Sequence, residues 1–143
     1  MNDKNTEKFT GCKMALISGR QLVVYLRDNL ATIPYPNCWD FPGGGREGNE
    51  TAEECVLREL NEEFSLVLTK ACLVYKQIDI NQTGNGNAYF FVAHIDNEQL
   101  DKIRFGNEGQ YWRLMDIEDY LDHPQAINSL QQRLKRYLAE IDY

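Results

Sequence analysis

Glu59, Glu62 and Glu63 stand at i, i+3 and i+4, the spacing that gathers side chains on one face of a helix. At roughly 100° per residue the three fall within an arc of about 100°. Like charges so close repel and raise one another's pKa. A bound cation removes that cost, and carboxylate oxygens are hard ligands, so the cation expected is Mg²⁺ or Mn²⁺. Calcium is less expected, because the chain has no D-x-D-x-D-G loop. The plain alternative is a solvated acidic helix face. Against it, Gly44, Glu50 and Arg58 stand at fixed offsets from the same carboxylates.

The elements that must position these groups can be read outward from them. Thr51 suits an N-cap, and Glu54 three residues on completes a capping box. The spacing predicts a helix over 52–64, with Val56, Leu57, Leu60 and Phe64 on the arc next to the carboxylates and facing a core. Pro42, Gly43, Gly44 and Gly45 precede it. Proline fixes φ and glycine is permissive, so this run is expected to be a loop and not a regular element, with a backbone, Gly44 included, that can approach a ligand closely.

The run from Gly44 to Leu66 reads G-x5-E-x7-R-E-L-x-E-E-x-S-L. It resembles the Nudix box, G-x5-E-x7-R-E-U-x-E-E-x-G-U, with Ser65 in place of the second glycine. The resemblance implies an α/β fold, an α/β/α sandwich with a mixed β-sheet, over about residues 13–138. It also implies metal-dependent hydrolysis of a nucleoside diphosphate linked to another group. Glu59, Glu62 and Glu63 would be metal ligands, with the Gly43 carbonyl as a further one. Glu50 and Arg58 would be the structural ion pair between loop and helix.

Gly106-Asn107-Glu108-Gly109-Gln110 resembles the G-K-E-G-Q segment of the MutT type, which makes Glu108 a candidate metal ligand or general base. Either Glu59 or Glu108 could take the proton. Trp39-Asp40-Phe41-Pro42-Gly43-Gly44 resembles that type's E-F-P-G-G entry, so Trp39 and Phe41 are candidates to line a base pocket. Arg27 matches an arginine that meets substrate phosphates, and His123 falls near a base-reading position. Segments characteristic of the ADP-ribose, dinucleoside polyphosphate and NADH subgroups are missing. The substrate expected is a small nucleotide, a nucleoside triphosphate or modified dNTP. The alternatives are a non-nucleotide diphosphate, or an inactive Nudix-fold binding or regulatory domain.

At 143 residues with 43% apolar content, the chain is long enough for one domain with its own core, at 11–143 behind a flexible arm at 1–10. A formal charge of -7 argues against polymeric nucleic acid, which needs a basic surface. Cys12, Cys38, Cys55 and Cys72 form no C-x-x-C pair, so reduced thiols are expected and a zinc site is not. No apolar leader is visible; a cytoplasmic protein off the membrane, monomer or homodimer, is expected. Strands are predicted at 13–17, 21–27, 39–41 and 111–114, and a hairpin at 71–80 and 88–95 across a turn at 82–87. Short helices are predicted at 97–103 and 116–121. A last helix at 125–139, after Pro124, should turn Ile127, Leu130, Leu134 and Leu138 inward.

Overall fold

The structure is a computed structural model that describes residues 8–80 and 86–141. Two near-continuous apolar runs supply its centre. Strand β1 (Gly11–Ser18) and strand β6 (Asn87–His94) are buried on both faces and pair in parallel, Gly11 opposite Ala88 through Ile17 opposite His94. Strand β2 (Gln21–Leu26) follows β1 across a tight turn in which Gly19 takes φ +62. Strands β3 (Trp39–Asp40) and β7 (Tyr111–Asp116) both pair antiparallel with β2, and β4 (Gly43–Gly45) with β1. Strand β5 (Leu73–Ile80) alternates half-buried with exposed residues, the pattern of a strand with one solvated face, and closes the sheet edge against β6.

Helices cover both faces of this mixed sheet. Helix α1 (Ala52–Phe64) and the short α2 (Asn97–Asp101) lie on one side. The α1 core there gathers Met14, Leu16, Val23, Tyr25, Val56, Leu60, Phe64 and Phe91. On the other side, α3 (Ile117–Asp122) and α4 (Asn128–Glu140) pack over Ala15, Val24, Phe41 and Phe90, with Leu130 and Leu134 turned inward from α4. The expected α/β/α sandwich is therefore present.

Several expectations need correction. The glycine run is not a loop: Gly43–Gly45 is a strand, with Cys12 opposite Gly44. Strand pairing needs only the backbone, and the missing side chains are what allow it. A Cβ on Gly43, at φ +141, would lie 2.2 Å from the Cys12 carbonyl oxygen. The arm expected at 1–10 lies outside the described residues up to 7, but Phe9 is buried against Tyr89, ring centroids 5.5 Å apart. Most of the hairpin turn, 82–85, also lies outside them. Strand β5 starts at Leu73, after a 3-10 turn at Lys70–Cys72. Helix α4 starts at Asn128 and not at 125, because Gln125 lies in a turn and Ala126 bridges to Trp39: the Trp39 amide donates to the Gln125 carbonyl at 2.8 Å. Ile127, Leu130, Leu134 and Leu138 are buried as expected.

Candidate active site

The N-terminus of α1 fixes its register. The Thr51 hydroxyl accepts from the Glu54 amide at 3.1 Å, and the Glu54 carboxylate accepts from the Thr51 amide at 2.9 Å. Ala52, Cys55, Val56, Leu60 and Phe64 are buried, and beside them Glu59 and Glu63 meet the glycine strand. Glu63 is largely buried and takes the Gly43 amide at 2.9 Å. Burial pushes its carboxyl up to about 8, against the opposing pull of Lys13 and the Gly43 amide. Glu59 is also raised, again chiefly by burial, with Arg58 opposing. A Cβ on Gly44 would fall 2.5 Å from the Glu59 carboxyl carbon, so glycine is what lets β4 and this carboxylate come together. The Glu62 side chain is 57% exposed.

Arg58 organises the outer side of this group. Its Nε donates to Glu50 at 2.6 Å, and a second nitrogen donates to Glu50 at 3.1 Å and to the Gly45 carbonyl at 2.8 Å. The bidentate pair holds the Glu50 carboxyl below its usual range and the guanidinium well above its own. The remaining nitrogen lies 3.2 Å from Glu59 and from both Glu62 oxygens. With Arg58 among them, no three His, Cys, Asp or Glu side chains of the described residues converge in a ligating cage. The donor set still fits a hard divalent cation. Two of the three carboxylates are pushed toward their neutral forms by burial, and a cation would restore their charge.

A second charged group lies behind the glycine strand, and sequence reasoning missed it. Asp40 is 0% exposed. Its carboxylate accepts from Lys13 Nζ at 2.8 Å, Arg27 at 2.9 Å, the Tyr25 hydroxyl at 3.2 Å and the Phe41 amide at 2.7 Å. Buried Lys13 and half-buried Arg27 together supply the counter-charge that a buried carboxylate needs. Arg27 also donates its Nε to the Pro34 carbonyl at 2.9 Å. It lines a cleft of about 160 Å³ with Tyr25, Asp28, Ile33, Glu108 and Gly109. The structure thus brings Arg27 and Glu108 to one cleft.

Trp39 and Phe41 are not there. Alternation along the extended segment sends both into the α4-side core, 5% and 0% exposed, where Phe41 meets Tyr120 with ring centroids 4.8 Å apart. They pack in the core and line no part of the Arg27 cleft. His123 lies with its ring edge-on to Trp39 at 6.3 Å, beside a separate depression that includes Arg113 and Asp119. The same alternation could have pointed to Asp40, a charged residue between two core aromatics. Cys12 and Cys55 are free thiols 3.2 Å apart beneath the glycine strand; their mutual hydrogen bond, then burial, pushes the Cys55 thiol far up, so it is inert.

A NUDIX domain family model matches residues 13–138. The chain belongs to the Nudix family. It is 31% identical over 113 residues to an 8-oxo-dGTP diphosphatase of Haemophilus influenzae, covering 78% of this chain and 80% of that protein. It is 30% identical over 97 residues to an ADP-ribose pyrophosphatase of Methanocaldococcus jannaschii, covering 66% of this chain and 57% of that protein. Among solved structures, a MutT protein from Methanosarcina mazei shares the fold with a TM-score of 0.75 at 15% identity, over 94% of this chain and 96% of that one. The protein is accordingly a Nudix hydrolase acting on nucleoside diphosphate-linked substrates. Among its described residues no helix is long and apolar enough to cross a membrane.

Proposed function

We propose that this Nudix hydrolase cleaves a nucleoside triphosphate or a modified dNTP to the nucleoside monophosphate and pyrophosphate. The observation that carries the reading is the packing of Glu59 and Glu63 against the glycine strand, beside the group that holds Arg27. Glu59, Glu62, Glu63 and the Gly43 carbonyl would hold Mg²⁺ or Mn²⁺. When bound, the cation supplies positive charge to the bridging phosphates and acidifies water. Arg27, held by Asp40 and Pro34, presents its guanidinium to phosphate oxygens in the cleft. Glu59 or Glu108 takes the proton of the attacking water. Glu108 is exposed on its loop, and Glu59 is already engaged by Arg58. Tyr25 and Ile33 give the cleft its apolar wall.

The relative named 8-oxo-dGTP diphosphatase, of which this chain spans 80%, supports the substrate class. A second reading, cleavage of ADP-ribose, is favoured by the archaeal relative named for that activity. The test is a hydrolysis panel of dNTPs, 8-oxo-dGTP, ADP-ribose, a dinucleoside polyphosphate and a prenyl diphosphate, with Mg²⁺, Mn²⁺ or chelator. The expected outcome is metal-dependent release of nucleoside monophosphate and pyrophosphate from a triphosphate. Faster turnover of ADP-ribose than of every triphosphate would overturn the first reading in favour of the second.

A further inference from the structure

Ser65 is the one fixed position at which this chain departs from the box pattern. It takes a left-handed conformation, φ 57 and ψ 30, and its amide closes α1 by donating to the Asn61 carbonyl at 2.9 Å. Its hydroxyl does something a glycine cannot: Oγ donates to the Arg104 carbonyl at 3.1 Å. Two backbone bonds run alongside. The Arg104 amide donates to the Phe64 carbonyl at 3.0 Å, and the Gly106 amide to the Glu63 carbonyl at 2.9 Å. Phe105 packs between Tyr25 and Phe64, at centroid distances of 5.8 and 5.4 Å. Gly106 fits because a Cβ there would come within 3.3 Å of the Glu62 carbonyl oxygen.

The far end of the same loop is fixed separately. The Gln110 amide and side chain donate to the Leu26 and Arg27 carbonyls, both at 2.8 Å. Between the two anchors lie Asn107, Glu108 and Gly109, and Gly109 at φ +96 is pressed against Tyr25. The place of Glu108 is therefore set by how firmly residues 104–106 sit on the end of the carboxylate helix.

We propose that Ser65 is a positioning residue: its hydroxyl ties the Glu108 loop to the end of α1, so that Glu108 and the helix carboxylates keep a fixed relation. The proposal rests on the reading that Glu108 belongs to the site. A glycine at this position keeps the backbone turn and loses the tie. One hydrogen bond of ordinary net strength changes the ratio of docked to undocked loop on the order of five-fold.

The experiment compares Ser65→Gly, Ser65→Ala and Ser65→Asn, in the parent chain and in a Glu108→Gln background. Turnover is read with 8-oxo-dGTP and Mg²⁺, and amide hydrogen exchange is followed over residues 104–109. Ser65→Ala separates loss of the hydroxyl from the added freedom of glycine. Ser65→Asn tolerates the left-handed turn and restores a donor. Expected are exchange faster by about five-fold at 104–109 in the Gly and Ala variants, a fall in kcat of similar size with little change in KM, and recovery of both in the Asn variant. The kcat effect should vanish when Glu108 is already Gln. Unchanged exchange in both the Gly and Ala variants overturns the proposal. Faster exchange together with full turnover in Glu108→Gln upholds the tie and overturns the role of Glu108 in the site.

Discussion

Glu63→Gln should stabilise the metal-free protein at alkaline pH while destroying its activity. The Glu63 carboxyl is largely buried, and its pKa rises from an ordinary 4.5 to about 8 in the folded chain. Between those values the folded chain holds a proton that the unfolded chain has released. Stability therefore falls as pH rises through this window: the contribution is fully present below 4.5 and lost above 8. At about 1.4 kcal/mol per pH unit, the whole interval corresponds to at most roughly 5 kcal/mol. Residual solvent contact reduces that to about 2 kcal/mol, or roughly 4–8 °C in Tm for a chain of this size. Glu59, raised by burial, acts in the same direction. Glutamine keeps the acceptor for the Gly43 amide and never ionises, so its stability should vary less with pH. The assay is thermal unfolding of both proteins in chelator from pH 5 to 8.5, repeated with millimolar Mg²⁺. Parallel curves for parent and variant in chelator would refute the reasoning, since Glu63 would then ionise as easily folded as unfolded.

Three further outcomes are expected. Glu62→Gln should lower turnover by roughly 10²-fold or more, with Tm nearly unchanged because the side chain is mostly exposed; turnover within a few-fold of the parent at low Mg²⁺ would remove Glu62 from the ligand set. Mg²⁺ at about 100 times its Kd should stabilise the fold by about 2.7 kcal/mol, and an equal gain in a Glu59, Glu62 and Glu63 triple Gln variant would place the metal elsewhere. Asp40→Asn should cost about 3 kcal/mol or more in urea denaturation, because Lys13 and Arg27 lose their shared counter-charge; a loss under about 1 kcal/mol would mean that water replaces the carboxylate.

The parts of the site legible in the sequence are those fixed by local rules. Helix α1 spans 52–64 as its capping box and apolar arc required, and the Glu50–Arg58 pair joins loop to helix. The turn at Ser65 is left-handed although a serine occupies it. What could not be read depends on pairing between distant segments. Three glycines carry no side-chain pattern, so nothing in β4 announced that it would add to β1. The Asp40 group needs β1, β2 and β3 side by side before its partners meet. The same pairing decided which face Trp39 and Phe41 would take, the one that packs under α4.

The sheet keeps its two cores apart, and this division has a consequence for how the protein can change. Leu130, Leu134, Tyr120 and Phe41 belong to one core; the carboxylate helix rests on the other. Substitutions in distant, unshared packing act nearly independently. Heat tolerance can therefore be raised or lowered through the α4 layer with small effect on chemistry, whereas the α1 layer has little such slack. Drift among descendants of this chain should accumulate on the α4 side, and a laboratory selection for durability alone should find its gains there.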